Sequence, residues 1–499
     1  MAQIQKLAGQ TAIYGAPTIL GRLLNYLLVP LHTYIFTRPN EYGVVSEMYA
    51  YMAFLLVVLT YGMETTFFRF SSMEKNRAGV FNTAMTLLLL TSTIFISAGL
   101  FFSQNIAASL NYPQNPEYIR WFVLIVGLDA ISAIPFARLR ADNRPYVFAG
   151  IKIVNILVNL LFNLFFIWFC PLMIKHGIGT AFFQFIYRPE IGVGYIFISN
   201  LIASVVQMLL LLLTVKKIQF QFDIPLVKRM FHYTFPLLFL GLAGVVNETF
   251  DRFMIKYLLS SDIAMYNLGV YSACFKIAII MNLFIQAFRY SAEPFFFSIY
   301  KDKDAKEGYA TVMTYFVIVC TVIFLGTMMY LDYIKYFVHK NYHDGLTVVP
   351  ILLIAYMLLG ICFNLSIWYK LTGQTKYGAY ITVGGAVVTV AVNFALIPLI
   401  GYVGAAWGHF ITYAVMVAAS YLIGQKFYPV DYNLKKIGFY FAVSIALFAL
   451  SYFVIPFHRF GMHQLLIKTT VNTLILLGYL GIIYKKEYAV IQKFFKRTI

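Results

Sequence analysis

An all-α membrane protein with many spans is the fold that this sequence predicts. Of its 499 residues, 61% are hydrophobic and 12% are charged, and its mean hydropathy is +0.76. The apolar residues form about fourteen segments, each near the roughly 20 residues that a bilayer span requires. Because the backbone must form its hydrogen bonds internally in lipid, segments this long and uniform predict helices rather than the strands of a barrel.

Short connections join the predicted spans. The longest lie near residues 171–190, 216–233, 289–307 and 331–345, and none is long enough to hold a catalytic or nucleotide-binding domain. ATP-driven transport would therefore need a separate subunit. In chain order, the spans are expected near 10–36, 42–69, 78–103, 118–138, 146–170, 191–215, 234–259, 264–288, 308–331, 346–370, 377–398, 402–424, 436–456 and 464–484.

The positive charges are concentrated at alternate loops. A net charge of +18 would suggest nucleic-acid binding in a soluble protein, but about 25 of the 38 Lys and Arg residues lie at one set of loops and about nine at the other. The positive-inside rule then predicts that the basic loops and both termini are cytoplasmic. The excess charge is expected to face anionic lipid headgroups rather than nucleic acid.

An internal repeat divides the chain. The segment YGAP at 14–17 matches YTFP at 233–236, and FFRFSS, which contains Arg69, matches AFRYSA, which contains Arg289; both offsets are about 220 residues. Parallel repeats in transporters form two lobes that rock about a central site. The expected regions are an N-lobe at 1–230 with spans one to six, a C-lobe at 231–430 with spans seven to twelve, and two further spans with a basic tail at 431–499.

The sequence contains no motif of a catalytic, metal or nucleotide site. HExxH, CxxC and glycine-rich phosphate loops are absent, and the four cysteines lie in or at the edge of spans, where they are typical small apolar residues. We therefore expect no catalytic residue, no metal ligand, no cofactor and no enzymatic activity. Because no A-x-A cleavage site precedes the first apolar stretch, an uncleaved first span is expected rather than a signal peptide.

Ionisable side chains inside the apolar spans are the strongest functional signal. In VVNETFDRFMIKYLL (245–259), Glu248, Asp251, Arg252 and Lys256 fall within about 140° of one another on a helical wheel. A charge at mid-bilayer costs roughly 2.5–3.5 kcal/mol. These groups are therefore expected either to pair, for example Glu248 with Arg252, or to face a wet cavity, and Lys256 is close enough to the end of its span to snorkel.

Other spans carry charges of the same kind. Arg22 lies near the middle of span one and Lys276 near the centre of span eight, while Lys152 of span five has Asp129 as a candidate partner. Pairing with carboxylates does not explain why Arg22, Arg252 and Lys276 all lie inside spans. A shared basic cavity explains their positions, and it predicts an anionic cargo, since ammonium and guanidinium groups bind phosphate well.

Five segments resemble the polysaccharide biosynthesis, or oligosaccharide flippase, family. They are EYGVVSEMYAYMAFLLVVLTYGMETTFFRF (41–70), DRFMIKYLLSSDIAMYNLGVYSACFKIA (251–278), AFRYSAEPFFFS (287–298), WYKLTGQTKYGAY (368–380) and NFALIPLIGYVGAAWG (393–408). Placements of Gly, Pro, Tyr and charge carry the likeness, which extends over nearly the whole chain. The family belongs to the superfamily of the multidrug and toxin exporters and the lipid II flippases.

The resemblance implies a V-shaped fold of two six-helix lobes with two extra C-terminal helices, working by alternating access in the bacterial inner membrane. It also implies a cargo, undecaprenyl-diphosphate-linked oligosaccharide, which is moved from the cytoplasmic to the periplasmic leaflet for O-antigen, capsule or exopolysaccharide assembly. H⁺ or Na⁺ is the candidate coupling ion, and the membrane potential alone is the alternative driving force. Anionic lipids and the polysaccharide polymerase machinery are candidate partners.

The candidate site residues combine the charges in the spans with a cavity that the resemblance assigns to spans one, two, seven and eight. The residues expected to bind substrate are Arg22, Lys276, Arg252, Lys152 and Asn25; those expected to be coupling or lumen acids are Asp251, Glu248 and Glu64; and those expected to form a cytoplasmic gate are Arg69 and Arg289.

Three other functions are compatible with the sequence. A cation-coupled multidrug exporter would use an acidic cavity, for which Glu47, Glu64, Glu248 and Asp251 are available. A lipid II flippase of the same superfamily is a second alternative. A membrane-embedded glycosyltransferase or ligase is more remote, because it would need a sizeable extracytoplasmic loop with acidic or metal-binding groups, which the sequence lacks.

Overall fold

The computed structural model is a bundle of long helices. It describes residues 20–21, 23–215, 220, 222–300, 302, 304–454 and 462–498. Within these ranges, thirteen helices are long and apolar enough to cross a membrane, and the shorter apolar helix Leu23–Ile35 adds one more. The same ranges contain no β-strand. The predicted all-α membrane fold with about fourteen spans is therefore confirmed.

Spans one to six occupy the first part of the described chain. Span two is divided into α2 and α3, and a π-helical turn at Phe165–Phe169 divides span five into α7 and α8. The helices are α1 (Leu23–Ile35), α2 (Pro39–Thr60), α3 (Met63–Met73), α4 (Arg77–Phe101), α5 (Ser103–Ser109), α6 (Pro116–Ala141), α7 (Pro145–Leu164), α8 (Cys170–Lys175), α9 (Thr180–Ile186) and α10 (Gly194–Thr214).

Spans seven to fourteen follow. The first two of them, α11 and α12, have 35 and 38 residues and are therefore longer than the roughly 20 residues that a bilayer requires. The helices are α11 (Ile224–Leu258), α12 (Ser261–Ser298), α13 (Ala305–Met329), α14 (Leu331–Ile334), α15 (Val348–Leu365), α16 (Ile367–Leu371), α17 (Thr375–Ile400), α18 (Tyr402–Phe427), α19 (Leu434–Val454) and α20 (Met462–Thr498).

Local sequence signals account for where several helices begin and end. Proline occupies the first turn of α2, α6 and α7, where a missing N–H costs nothing. The Asp223 carboxylate caps α11 by accepting from the N–H of Leu226 at 3.1 Å. Span two breaks at Tyr61 and Gly62, which have φ of 36° and 73°. The Thr234 hydroxyl donates to the carbonyl of Tyr61 at 2.5 Å, so this break does not leave that carbonyl unpaired in the membrane.

The apolar core falls into several clusters that mostly follow the two parts of the chain, although Val29 of α1 and Tyr42 of α2 pack in the cluster of the later helices. We call α1–α10 the N-half and α12–α18 the C-half. Helix α11 belongs to both, because Leu226 and Met230 pack in an N-half cluster with α3 and α4, whereas Met254 and Ile255 pack in the C-half cluster. The predicted lobe boundary at residue 230 lies inside α11, and the division into two lobes and a C-terminal region stays a prediction.

A buried carboxylate is one of the contacts between the last two spans and the C-half. Glu487 of α20 is 1% exposed and accepts hydrogen bonds from the hydroxyl of Tyr315 on α13 at 2.6 Å. It also accepts from the ammonium of Lys436 and the hydroxyl of Tyr440, both on α19 and both at 2.7 Å. A buried carboxylate is tolerated when it is paired and hydrogen-bonded in this way, so the contact fixes α19 and α20 against α13.

The two ends of the bundle are distinguished by their loops. We call the end with the loops at 73–77 and 141–145 the basic end, and the end with the turn between α1 and α2 the far end. At the far end the halves meet backbone to backbone. A Cβ on Gly43 of α2 would lie 2.5 Å from the carbonyl oxygen of Met265, and a Cβ on Gly269 of α12 would overlap the carbonyl of Pro39. Membrane helices commonly associate through such small residues, because lipid offers no hydrophobic force between helices.

A buried ion pair joins the halves beside these glycines. The Lys256 ammonium of α11 donates to Oε1 of Glu47 on α2 at 2.6 Å and to the carbonyl of Leu110 at 2.8 Å, and both charged side chains are at most 5% exposed. The Tyr112 hydroxyl donates to the other oxygen of Glu47. We call Glu47, Tyr112 and Lys256 the far-end latch.

The far-end latch determines where the Lys256 ammonium lies and keeps the Tyr112 phenol protonated. Lys256 does not snorkel to the membrane surface, because Glu47 offers its ammonium a partner inside the protein. Burial, and then the charge of the Glu47 carboxylate, raise the pKa of Tyr112 above its usual value. The phenol therefore stays protonated and acts as a hydrogen-bond donor to that carboxylate.

Replacing Gly269 with Ala is expected to force α2 and α12 apart at the far end, because the added methyl group would overlap the carbonyl of Pro39. Overpacking of this kind costs about 1–3 kcal/mol. Two measurements check this: the unfolding temperature in detergent, and the yield of a disulfide between cysteines introduced at Thr37 and Asn341. These two residues are in contact in the structure, where Asn341 Nδ2 donates to the carbonyl of Thr37 at 2.9 Å. Gly326→Ala is the control, because nothing lies within 4 Å of that site; equal yields for the two variants would contradict the packing argument.

Breaking the far-end latch from one side is expected to destabilise the protein strongly. Lys256→Met or Glu47→Gln would leave the other group buried without its partner, at a cost of about 3–5 kcal/mol, and the double variant should lose less than the sum. Chemical unfolding in detergent measures this coupling. The exposed pair of Arg229 and Glu74, joined at 2.8 Å, is the control and should contribute about 1 kcal/mol or less. Additive losses in the latch variants would argue against a coupled pair.

Candidate functional site

Asp251 of α11 is a buried carboxylate with three neighbouring donors. Nη1 of Arg252 lies 3.1 Å from one of its oxygens. The hydroxyl of Tyr271 on α12 and Nε2 of His409 on α18, the latter at 3.1 Å, bind the other oxygen. The side chain is 1% exposed. Both oxygens are thus engaged inside the C-half, and the predicted role of Asp251 as a coupling acid stays a prediction.

Arg252 is held in place by its own helix and by α12. Besides Asp251, its Nη1 donates to the carbonyl of Glu248 at 3.0 Å, and its guanidinium carbon lies 4.6 Å from the centre of the Phe275 ring. The Glu248 carboxylate is exposed, and within the described residues it forms no ion pair. The pair expected between Glu248 and Arg252 is therefore replaced by the pair with Asp251, which leaves Glu248 as an accessible acid.

Lys276 is a half-buried lysine between the two halves. Its ammonium lies within electrostatic range of the guanidinium of Arg252 on α11, which repels it, and of His32 on α1. His32 is itself bound to Asn163 of α7 at 2.9 Å. With the residues that the structure describes, Lys276 forms neither a hydrogen bond nor an ion pair. The structure thus brings Lys276 and Arg252 together, whereas Arg22, predicted beside them, lies outside the described residues.

Lys152 lies in a different place. A cavity of about 630 Å³ opens between α2, α3, α6, α7 and α10, and we call it the N-half cavity. The Lys152 ammonium lies in it, 4.1 Å from the centre of the Phe136 ring and within the electrostatic reach of Asp129. Asp129 accepts hydrogen bonds from Ser204 at 2.9 Å and from Gln207 at 3.5 Å. No contact joins Lys152 to Lys276 within the described ranges.

Glu64 and Asn25, two further predicted residues, both lie in the N-half. Glu64 forms an ion pair with Arg140 and lines the N-half cavity. Asn25 is exposed, and its oxygen accepts a hydrogen bond from Asn159 at 3.3 Å. Asn163 donates to Asn159 one turn earlier on α7 and binds His32 of α1, so both asparagines of span five connect it to span one.

The two arginines of the predicted gate are both exposed at the basic end. Arg69 of α3 lies 4.2 Å from the centre of the Tyr233 ring on α11. Arg289 of α12 lies 4.9 Å from the centre of the Phe363 ring on α15 and 3.9 Å from Glu293. Each arginine therefore contacts a different neighbour, and no contact joins the two in the described part of the chain. Their gating role stays a prediction.

Sequence reasoning missed four polar residues of these networks. Tyr271 and His409 were not assigned to Asp251, and Glu47 and Tyr112 were not assigned to Lys256. An intramembrane histidine was a signal in itself, whereas tyrosines are too common in this chain to stand out. The described ranges contain no group of three or more His, Cys, Asp or Glu side chains placed to hold a metal ion, and all four cysteines are free and buried.

Comparison with known proteins connects this arrangement to a transporter fold. Residues 36–174 match the family of polysaccharide biosynthesis proteins, and no curated protein matches. The lipid II flippase MurJ in an inward closed conformation gives a TM-score of 0.66 at 14% identity, over 95% of this chain and 99% of that chain. An inward-facing multidrug resistance MATE family transporter of the MOP superfamily gives 0.64 at 12% identity, over 87% of this chain and 99% of that chain.

A third structure is similar over most of its length. It is a MOP superfamily transporter from Pyrococcus furiosus, with a TM-score of 0.57 at 12% identity over 84% of this chain and 96% of that chain. Reverse polarity of its binding pocket suggests a different function for that protein. Identities this low carry information on the fold alone. The resemblance read from the sequence is confirmed over residues 36–174, which carry the pattern of the polysaccharide biosynthesis protein family, and the chain shares the fold of these MurJ and MATE structures.

Proposed function

We propose that the protein is a flippase that moves undecaprenyl-diphosphate-linked oligosaccharide across the membrane by alternating access. The polysaccharide biosynthesis pattern at 36–174 and the transporter fold support this class of function. The observation that carries the choice of cargo is Lys276, a lysine between the halves without a carboxylate partner among the described residues. An unpaired cation at this depth is costly unless it faces a wet cleft or a ligand, and a diphosphate is the anionic part of the proposed cargo.

The chemistry of the cargo matches the groups around Lys276. A diphosphate cannot enter hydrocarbon unless other groups replace its hydration. The Lys276 ammonium supplies three donors, and the nearby Arg252 guanidinium adds positive potential although Asp251 already binds it. Arg22 is proposed as a third cation. In the P. furiosus transporter, pocket polarity is the feature that suggests a separate function, and by the same reasoning a cationic pocket favours an anionic cargo here.

The contacts at the far end suggest the order of the transport cycle. The glycine contacts and the far-end latch hold that end closed, so the cargo is proposed to enter from the basic end. Opening the far end would then require Lys256 and Glu47 to separate and both charges to meet water. The positive-inside rule assigns the basic end and both termini to the cytoplasm, which gives transport from the cytoplasmic to the periplasmic leaflet of a bacterial inner membrane. Anionic lipids and the polysaccharide polymerase machinery are the proposed partners.

Two related functions compete with this proposal. A lipid II flippase carries the same diphosphate on the same kind of lipid, and MurJ shares this fold. A cation-coupled multidrug exporter is favoured by the exposed carboxylate of Glu248 and by the fold of the MATE transporters. The charge of the cargo separates the exporter from both flippases, and the sugar separates the two flippases from each other.

Replacing Lys276 with Met is expected to weaken binding of the diphosphate about 10–100-fold, since a hydrogen bond to a charged group contributes about 1.5–3 kcal/mol. Lys276→Arg should retain part of the activity. The assay follows lipid-linked oligosaccharide, lipid II and a cationic drug side by side in proteoliposomes. Lys468→Met, which removes a lysine paired with Asp332 at 2.7 Å, is the control and should transport normally. Wild-type flipping by Lys276→Met, or drug export as the main activity, would refute the proposal.

Neutralising the two acids of α11 should have different results. Glu248→Gln is expected to change the H⁺ or Na⁺ dependence of transport, because this carboxylate is exposed and unpaired among the described residues. Asp251→Asn is expected mainly to lower thermal stability, because it leaves the guanidinium of Arg252 without its carboxylate. Transport rates over a range of pH and Na⁺ concentration test both variants. Unchanged ion dependence in both would exclude these acids as the coupling site.

A further inference from the structure

The N-half cavity is a polar space that the diphosphate contacts do not use. It lies between the basic-end part of span two and the helices α6, α7 and α10. Its volume of about 630 Å³ falls within the range of roughly 300–1,000 Å³ that is usual for small-molecule sites. A space of this size lined by polar groups inside a membrane protein calls for a polar occupant, because unsatisfied polar groups are costly there.

The charges that line the cavity balance. Glu64 is paired with Arg140, and Asp129 and Lys152 interact electrostatically with each other. Two acids and two bases give no net charge, in contrast to the cationic surroundings of Lys276. A balanced lining gives neither an anion nor a cation a net electrostatic advantage. The preferred occupant is therefore uncharged.

The lining nevertheless has free hydrogen-bonding capacity. The side chain of Asn155 forms no hydrogen bond with any described residue. Asn200 donates one long hydrogen bond, of 3.4 Å, to the hydroxyl of Tyr49, which leaves its oxygen free. Lys152 has no hydrogen bond and no ion pair within 4 Å in the described ranges. Amides and an ammonium that point into one cavity can bind a ligand with many hydroxyl groups, while Leu56 and Val57 supply an apolar wall.

We propose that the N-half cavity binds the glycan of the cargo while Lys276 and Arg252 bind its diphosphate. This inference rests on the proposed function, since it assumes a lipid-linked oligosaccharide, and it adds a separate site for the sugar. The two parts of one cargo are then recognised by two environments of different charge. A site that must hydrogen-bond a hydroxyl discriminates strongly against ligands that lack it, so this cavity selects among glycans whereas Lys276 does not.

Binding of two ligands to the protein in nanodiscs tests this division. The ligands are undecaprenyl diphosphate and the undecaprenyl-diphosphate-linked oligosaccharide extracted from the cells in which the protein naturally occurs. Asn155→Leu and Asn200→Leu keep roughly the side-chain volume and remove the amide. Each is expected to weaken binding of the oligosaccharide-bearing ligand about tenfold and to leave binding of undecaprenyl diphosphate unchanged. Lys276→Met should weaken both.

The control and a second measurement keep the test independent of folding. Ser199 precedes Asn200 on α10 but binds the carbonyl of Tyr195 at 2.7 Å and does not line the cavity, so Ser199→Ala should bind both ligands normally. In addition, Asn200→Cys should react with a membrane-permeant maleimide, and the oligosaccharide-bearing ligand should slow this reaction whereas undecaprenyl diphosphate should not. The four native cysteines are buried.

The outcomes separate the two proposals. If the wild-type protein binds neither ligand, the proposed function fails and the glycan site fails with it. If the wild type binds the oligosaccharide-bearing ligand but the two Asn variants bind it equally well, or lose both ligands equally, only the glycan site is refuted. An Asp129→Asn variant that changes ion dependence without changing glycan affinity would assign the cavity to a coupling ion and would also overturn the inference.

Discussion

Every ionised group inside the membrane must have a partner or face water, and the rest of this structure depends on that constraint. Glu47 and Lys256 are almost fully buried and satisfy each other across the two halves. Asp251 satisfies the same requirement with three donors from α11, α12 and α18. Such pairs add little net stability compared with apolar packing. Their effect is to specify which helices meet and in which register.

Helix α11 is the element through which this constraint reaches both halves. Its first part packs on α3 and α4, and Thr234 satisfies the carbonyl that the break in span two leaves free. Its last part contributes Asp251 and Arg252 to the C-half and Lys256 to the latch. A helix with obligatory partners on both sides cannot move with one half alone. In the proposed transport cycle, rocking of the halves would therefore exchange hydrogen bonds along α11, and the proposed ion or cargo would bias that exchange.

The polar groups fall into two environments that differ in charge. Lys276 has no carboxylate partner among the described residues and lies near Arg252, which Asp251 binds, whereas the N-half cavity contains balanced pairs with free amides. An amphipathic cargo with a diphosphate and a sugar presents the same two kinds of surface. Because recognition of charge and recognition of hydroxyl groups need different donors and acceptors, separate environments allow each to be adjusted without loss of the other.

The number and type of spans follow from the amino-acid pattern, since long apolar segments admit only helices in lipid, and the same pattern identifies Arg252, Lys276 and Lys152 as ionisable groups in spans. How these groups are used depends on the packing of the helices. A helical wheel placed Glu248, Asp251, Arg252 and Lys256 on one face, yet they meet different surroundings. Glu248 is exposed, Asp251 and Arg252 pair with each other beside His409 and Phe275, and Lys256 pairs with Glu47. The wheel fixes the direction of a side chain from its own helix axis. The partner it meets depends on which other helix lies in that direction, and that is set by packing between segments distant in the chain.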